Sequence, residues 1–227
     1  MESSLLRAEN LNKVYRTDTV ETTAVANVTL EVNRGDFAIL CGPSGCGKST
    51  LLSMLAMIEP PTSGSIHYLG NVISPKQEKL RAQLRADALG IVFQSFNLVP
   101  ELTALENVAL GLSFSRSVTR RRAAELAEQA LKTVGLESRL AHYPNQMSGG
   151  QQQRVAIARA IVGDRKLLLA DEPTGNLDSA NASAVIDLFD AIHASGVAIC
   201  MVTHDPRYLS HGNRVIEMKD GKLHRTI

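Results

Sequence analysis

Residues 42–50 read Gly42-Pro43-Ser44-Gly45-Cys46-Gly47-Lys48-Ser49-Thr50. The segment follows the apolar run 37–41 and precedes the largely apolar run 51–58. The order strand, glycine-rich turn and helix is the context in which the pattern G-x-x-x-x-G-K-[ST] binds phosphate. Glycines allow backbone N–H groups to approach phosphate oxygens, and the N-terminus of a helix favours an anion. The stretch therefore predicts a phosphate-binding loop on an α/β core.

Two side chains of this loop have predicted roles. Lys48 supplies a compact positive charge for the β- and γ-phosphates of a nucleotide. The hydroxyl group of Ser49 is an oxygen donor of the kind that Mg²⁺ prefers. Together they predict a nucleotide bound with magnesium.

Composition narrows the class of protein. The chain has 227 residues, 44% of them hydrophobic, so it can bury a core of one or two domains. The net charge of +1 argues against a nucleic-acid-binding surface, which is usually strongly basic. Cys41, Cys46 and Cys200 lack C-x-x-C spacing, which is typical of a reduced, cytosolic protein. We see neither a signal peptide nor the roughly 20 apolar residues that a membrane span needs, so any membrane role is expected to be peripheral or shared with another chain.

The first part of the chain is dominated by strand patterns. Segments 5–15 and 25–32 predict strands joined through a polar turn at 17–19, and 65–68 with 72–73 predicts a hairpin. These segments predict a β subdomain that surrounds the phosphate-loop strand.

The pattern becomes helical between residues 95 and 163. Thr119 is placed to cap a helix whose apolar residues recur at three and four, and Gly135 is placed to end it. A strand at 167–171, a helix near 179–194 and a strand at 197–202 then resume the α/β pattern. We therefore predict a helical insertion, approximately 95–163, within the core.

A second chemical cluster follows the strand 167–171. Ligands of open α/β sheets bind beyond the carboxyl ends of the strands, so Asp171 and Glu172 are expected to lie near the phosphates. Asp171 is suited to hold Mg²⁺ through water. Glu172 is suited to polarise a water molecule that attacks the γ-phosphate.

The segment 147–151 predicts a second anion site. Ser148 and Gln151 have the spacing of a capping box, and the helix that follows runs to about residue 161. A glycine-rich helix N-terminus favours an anion, but one nucleotide needs only one phosphate loop. The second site can therefore serve the nucleotide of a neighbouring chain.

On these motifs the chain resembles, from end to end, the nucleotide-binding subunit of ATP-binding-cassette (ABC) transporters. Segment 147–151 is similar to the signature LSGGQ, with Met147 in place of leucine, a swap that conserves volume. Segments 42–50 and 171–172 resemble the Walker A and Walker B motifs. The resemblance implies a single domain over 1–227 with a P-loop NTPase (RecA-like) α/β core. It also implies a mostly parallel sheet, an N-terminal antiparallel β subdomain and the helical insertion.

The resemblance also assigns roles to individual residues. Gln94 matches the glutamine that senses Mg²⁺ and the membrane partner, and His204 matches the histidine that contacts the γ-phosphate. Asp178 lies in the loop that crosses the dimer interface. Tyr15 matches the aromatic residue that stacks on adenine, although packing within its strand is the alternative. The implied nucleotide-binding set is Tyr15, Gly42, Pro43, Ser44, Gly45, Cys46, Gly47, Lys48, Ser49, Thr50, Ser148, Gly149, Gly150, Gln151 and Asp178. The implied catalytic residues are Glu172, His204, Lys48 and Gln94, and the implied magnesium ligands are Ser49, Gln94 and Asp171.

The family mechanism that follows is a head-to-tail homodimer with two ATP molecules between the chains. Each ATP contacts Lys48 of one chain and Ser148 to Gln151 of the other. ATP favours the closed dimer because it binds that state better than the open pair. Hydrolysis removes this preference, and the presence of Glu172 and His204 predicts a competent site.

Segments 90–98, 102–108 and 170–178 resemble the branch of macrolide-exporter and lipoprotein-release ATPases. That branch works on the cytoplasmic face of the bacterial inner membrane with a membrane subunit of few spans and a large extracytoplasmic domain. The groove that accepts this subunit is expected at Phe96, Leu98, Val99, Leu102 and Leu105, with core packing as the alternative.

Three other functions remain open from the sequence. They are an importer ATPase, a soluble ABC protein of DNA repair or translation, and a small phosphotransferase. The transported substrate has no signature in an ATPase subunit.

Overall fold

The computed structural model describes residues 4–17, 19–74, 77–113, 115 and 118–226. The strands are β1 (Ser4–Arg16), β2 (Glu21–Asn33), β3 (Phe37–Cys41), β4 (Ser63–Tyr68), β5 (Asn71–Val72), β6 (Leu89–Val92), β7 (Leu167–Asp171), β8 (Ala198–Val202), β9 (Arg214–Lys219) and β10 (Lys222–Thr226). The helices are α1 (Lys48–Leu55), α2 (Glu78–Ala88), α3 (Ala104–Ala109), α4 (Arg120–Thr133), α5 (Gly149–Ile161) and α6 (Ser179–Ala194).

The chain divides into two compact units. The first contains the described residues up to Arg81 and those from Ala198 onward, and the second is Ala82–Val197. The predicted helical insertion lies within the second unit, where it contributes α3, α4 and α5.

The first unit contains an antiparallel sheet with the strand order β2-β1-β4-β5. It also contains neighbouring strands in the order β10-β9-β3-β8, in which β3 pairs in parallel with both β8 and β9. Phe37 to Leu40 are fully buried, which is typical of a parallel strand covered on both faces. Leu40 pairs with Val202, so the carboxyl ends of β3 and β8 lie side by side. Ligands of α/β folds bind at this edge.

In the second unit β6 and β7 pair in parallel, with Val92 opposite Ala170. The predicted cap of α4 is confirmed, because Thr119 accepts a hydrogen bond from the backbone N–H of Arg122. The predicted end is also confirmed, since Gly135 follows α4 with a φ of 71°. Local sequence signals thus determine both ends of this helix.

Several element boundaries differ from the predictions. Helix α1 begins at Lys48 and ends at Leu55, so Ile58 lies beyond it. The largely apolar run 89–94 predicts a buried strand, but strand β6 ends at Val92, which places Gln94 in the connection that follows. Asp18 of the predicted polar turn lies outside the described residues. Across the part of the chain that the structure describes, we find no helix with the length and apolar character of a membrane span.

Candidate functional site

The phosphate loop leaves β3 in a conformation that requires glycine. Gly42 and Gly47 have φ values of 148° and 100°, which side-chain-bearing residues rarely adopt. A Cβ atom at Gly42 would collide with the carbonyl oxygen of Met218, and one at Gly47 would collide with that of Ala24. The glycines therefore allow the loop to pack closely against its neighbours.

Helix α1 begins directly after this loop. Its N-cap is Gly47, which has no side chain that could cap the helix, and its first turn carries no acidic residue. The N-terminal backbone donors of a helix favour an anion, and no carboxylate in this turn competes for the role. The local geometry is therefore that of a phosphate site.

Lys48 is 5% exposed and lies folded against the loop. Its Nζ donates hydrogen bonds to the carbonyl oxygens of Gly42 and Pro43, both at 2.8 Å, and lies 3.8 Å from Sγ of Cys46. The loop therefore holds the charge in place, and phosphate oxygens are stronger acceptors than these carbonyls.

Tyr15, at the end of β1, is 41% exposed. Its hydroxyl donates to Oε2 of Glu59 at 2.8 Å, and Nζ of Lys13 lies 5.1 Å from the ring centroid. Partial burial, followed by the hydrogen bond with Glu59, raises the pKa of Tyr15. The half-open ring, held by these two neighbours, suits a stacking platform better than simple packing within the strand.

His204 follows β8 and is exposed. The backbone N–H of Thr203 donates to the carbonyl oxygen of Leu40 at 3.2 Å, so the chain leaves β8 beside the end of β3. The first unit thus brings His204 to the sheet edge where the phosphate loop begins.

The second unit carries the carboxylates. Asp171 ends β7, and Glu172 follows with a φ of 43°, in the left-handed region. This conformation is strained for a residue with a side chain, and such strain is concentrated at functional sites. The carbonyl oxygen of Glu172 accepts from the N–H of Gly175 at 3.0 Å, which closes a turn.

Gln94 lies beside the segment that follows this turn. Its Nε2 is 3.4 Å from Oδ1 of Asn176, and Nδ2 of Asn176 donates to the carbonyl oxygen of Gln94 at 3.0 Å. A Cβ atom at Gly175 would lie 2.8 Å from Nε2 of Gln94, so glycine permits this approach. Asn176 therefore connects Gln94, the predicted sensor, to the loop that follows Glu172. The sequence alone does not identify Asn176 as a partner of Gln94.

The predicted capping box of α5 is confirmed. The backbone N–H of Gln151 donates to Oγ of Ser148 at 3.3 Å, and Oε1 of Gln151 accepts from the N–H of Ser148 at 2.9 Å. The box orders the turn that contains Gly149 and Gly150, at the positive end of the helix dipole.

Gly150 connects this turn to α6. A Cβ atom there would collide with Oδ1 of Asn181, whose Nδ2 donates to Oδ2 of Asp178 at 2.6 Å. Asp178 caps α6 and accepts from the N–H groups of Ala180 and Asn181, both at 3.0 Å. The backbone hydrogen bond from Asn181 is the main cause that lowers the pKa of Asp178. The second unit thus places three predicted residues, Ser148, Gly150 and Asp178, in one connected region.

Arg159 of α5 is a site residue that sequence reasoning missed. Its guanidinium donates to the carbonyl oxygen of Asn97 at 2.6 Å and to that of Phe96 at 2.7 Å. Phe96 and Asn97 have φ values of 56° and 51°, so the arginine holds two consecutive left-handed residues. Burial lowers the pKa of Arg159.

The second unit also contains a cavity of about 330 Å³. Leu110, Arg159 and Arg165 are among its lining residues, and Leu110 is 37% exposed. The lining of this cavity does not include the groove residues predicted from the sequence, which are Phe96, Leu98, Val99, Leu102 and Leu105.

The predicted magnesium ligands fit the metal by donor type. Among the described residues there is no group of three or more His, Cys, Asp or Glu side chains placed to hold a metal. Mg²⁺ does not require one, because it commonly binds one or two protein oxygens together with waters and substrate phosphates. The hydroxyl of Ser49, the carboxylate of Asp171 and the amide oxygen of Gln94 are donors of this kind.

Comparison with known proteins identifies the family. The family model described as ABC transporter matches residues 25–175. The chain is 43% identical over 222 residues to an uncharacterised ABC transporter ATP-binding protein, MJ1508, of Methanocaldococcus jannaschii, covering 96% of this chain and 97% of that one. It is 40% identical over 219 residues to YknY of Bacillus subtilis, also an uncharacterised ABC transporter ATP-binding protein, covering 96% and 95%.

Solved structures agree with this result. One, described as the dimeric structure of the bacterial ABC transporter cassette MJ0796, matches with a TM-score of 0.90 at 38% identity and covers 98% of this chain and 97% of that one. Another, a dimeric post-hydrolysis state of MJ0796 bound to ADP and Pi, matches with a TM-score of 0.89 at 37% identity over the same shares. The chain therefore belongs to the ABC transporter family as an ATP-binding, ATP-hydrolysing cassette. The predicted family and α/β fold are confirmed, and the individual site roles remain predictions.

Proposed function

We propose that this chain is the ATPase subunit of a bacterial ABC transporter that dimerises on ATP and drives a membrane subunit in export, extraction or mechanical work. The observation that carries the proposal is that one chain holds two glycine-rich helix N-termini of different construction, each of a kind that favours an anion. One is the phosphate loop with Lys48, and the other is the capped N-terminus of α5 at Ser148. A head-to-tail pair of identical chains uses both.

In the hydrolytic step, Lys48 binds the β- and γ-phosphates of ATP. Glu172 accepts a proton from the attacking water, whose oxygen bonds to the γ-phosphorus while the bond from that phosphorus to the leaving oxygen of ADP breaks. His204 donates to the γ-phosphate oxygens. The strained backbone at Glu172 supports this assignment, because such strain persists where it orients a functional group.

Mg²⁺ would be held by Ser49, by Asp171 through water and by Gln94, and when bound it neutralises phosphate charge. Tyr15 provides the platform for the adenine base. Its half-exposed ring supports that role.

The relative MJ0796 supports the proposed dimer, because both of its matched structures are described as dimeric. One of them is a post-hydrolysis state bound to ADP and Pi. For this chain we infer that ATP is enclosed between the phosphate loop of one copy and Ser148 to Gln151 of the other. Closure then depends on how much more tightly ATP binds the closed pair than the open one.

The membrane subunit is proposed to place a helix in the cavity beside Leu110. An exposed leucine above a cavity suits an apolar helix face, and Arg159 lines the same cavity while it holds Phe96 and Asn97, just after Gln94. A helix seated there would act on the Gln94 connection through Arg159. With this partner, we propose that the chain is peripheral on the cytoplasmic face of the inner membrane.

The resemblance of segments 90–98 and 170–178 favours a partner with few spans and a large extracytoplasmic domain, and hence export or extraction. An importer ATPase is the second candidate, because importer subunits share every catalytic motif.

The proposal is tested with wild-type protein and Glu172→Gln. Wild type should hydrolyse MgATP, while Glu172→Gln should bind ATP with similar affinity, turn over at least about 100-fold more slowly and elute as a dimer with ATP. Wild-type turnover by Glu172→Gln would show that this residue is not the base. Affinity capture of tagged Glu172→Gln from its own membranes, followed by mass spectrometry, then distinguishes a few-span partner from a many-span importer permease.

A further inference from the structure

Gln153 lies on α5 with no exposed surface, although its side chain is polar. Its Nε2 donates to the carbonyl oxygen of Pro173 at 2.7 Å. Its Oε1 is buried and accepts no hydrogen bond within the described part of the chain. A buried oxygen without a partner lowers stability, so general packing does not account for glutamine here. The hydrogen bond that the amide donates to Pro173 is therefore the feature that needs a reason.

Pro173 directly follows Glu172, the residue with a φ of 43°. The peptide group after Glu172 is held on one side, where the carbonyl oxygen of Glu172 accepts from Gly175. The next carbonyl oxygen along the chain, that of Pro173, is the one that Gln153 holds. These two hydrogen bonds fix the backbone that leaves Glu172, and this backbone sets the direction of the carboxylate.

We propose that Gln153 is a positioning residue that orients Glu172 for proton transfer, an inference that rests on the proposed function, in which Glu172 is the base. The same helix begins at the capped turn of Ser148, within two turns of Gln153. In the proposed dimer that turn contacts the nucleotide of the other copy. Gln153 then links the helix that binds one ATP to the base that acts on the second.

Gln153→Met tests the role, because methionine has a similar length and volume but cannot donate a hydrogen bond. We expect kcat for MgATP to fall roughly 10- to 100-fold, as misplaced catalytic groups commonly cause. KM and the dissociation constant for ATP should stay within about twofold, because Gln153 is fully buried against Pro173 and is not one of the proposed nucleotide-binding residues. Gln129→Met, at an exposed position of α4, is the matched control and should keep wild-type kcat.

A double-mutant cycle separates positioning from a merely structural role. If Gln153 acts through Glu172, adding Gln153→Met to Glu172→Gln should change the residual kcat by less than about twofold, because the base is already absent. A structural role predicts the same fold-loss in both backgrounds, together with weaker ATP binding, and would overturn the proposal. So would wild-type kcat in Gln153→Met.

Two controls address the case in which Gln153→Met folds poorly. Rates are normalised to titrated ATP sites, so unfolded protein does not count as slow enzyme. Gln153→Leu, which also cannot donate a hydrogen bond, should show the same selective loss of kcat if Gln153→Met does not fold. Wild-type turnover by Glu172→Gln would instead refute the proposed function, whereas an inactive Glu172→Gln beside an active Gln153→Met refutes only the positioning role.

Discussion

The ammonium nitrogen of Lys48 lies 2.8 Å from the carbonyl oxygen of Gly42, the first residue of the phosphate loop. A second carbonyl, that of Pro43, holds the same ammonium at 2.8 Å. The lysine is thus positioned by its own loop, which reduces the ordering that phosphate binding requires.

Lys48→Ala is predicted to weaken MgATP binding by about 10- to 100-fold, because a partly desolvated charge-assisted contact with phosphate is lost. Isothermal titration calorimetry measures the effect. Lys132→Ala, which removes an exposed lysine paired with Glu128, is the control and should leave the affinity unchanged. Equal affinities for Lys48→Ala and wild type would contradict a phosphate role for Lys48.

Substitutions at Tyr15 distinguish the contribution of the aromatic ring to ATP binding from that of the hydroxyl group. Tyr15→Ala should weaken ATP binding by about 5- to 150-fold, since stacking of a base on an aromatic ring contributes roughly 1–3 kcal/mol. Tyr15→Phe keeps the ring and loses the hydroxyl with its hydrogen bonds to Glu59 and Thr50, so its affinity should stay near wild type. Fluorescence titration with a labelled ATP analogue compares the two. A larger loss in Tyr15→Phe than in Tyr15→Ala would exclude stacking.

The sequence predicts those structural features that depend on residues close together along the chain. The phosphate loop and the caps at Thr119 and Ser148 depend on spacings of a few residues, and the structure contains each of them. The hydrogen bond from Gln153 to Pro173 and the bidentate contact of Arg159 join distant parts of the chain. Helical periodicity does not specify such contacts, because they depend on how packed elements face each other.

The path of segment 99–103 is a second example of a contact that the sequence does not specify. The buried side chain of Asn107 accepts from the N–H of Val99 and donates to the carbonyls of Val99, Leu102 and Thr103. The segment 99–103 is thereby folded onto α3, while Leu110, further along the chain, lines the cavity. An asparagine in a helical pattern carries no sequence signal for this arrangement.

The contact between α5 and α6 predicts an effect on stability. Gly150→Ala introduces a Cβ atom that collides with Asn181, so it should lower stability by about 1–2 kcal/mol although alanine favours a helix. Gly149→Ala is the matched control, since its Cβ would lie 3.7 Å from Leu177, an ordinary contact. Urea denaturation measures both. Adding Asn181→Ala should recover part of the loss in Gly150→Ala, and an unchanged loss would locate the strain elsewhere.

The last prediction concerns Arg159 and its two hydrogen bonds to the carbonyl oxygens of Phe96 and Asn97, which we call the clamp. Lysine is shorter and lacks the planar fork of the guanidinium, so Arg159→Lys should weaken the contacts with the carbonyls of Phe96 and Asn97, of which the contact with Phe96 is partly buried. We expect a loss of about 1–3 kcal/mol in urea denaturation, and faster amide exchange at residues 95–98. Arg121→Lys on α4, where the arginine pairs with Glu125 at the surface, should change stability by less than about 0.5 kcal/mol. Equal exchange rates at 95–98 in Arg159→Lys and wild type would mean that the backbone keeps its left-handed conformation without the clamp. Arg159 would then not transmit movement from the cavity to Gln94.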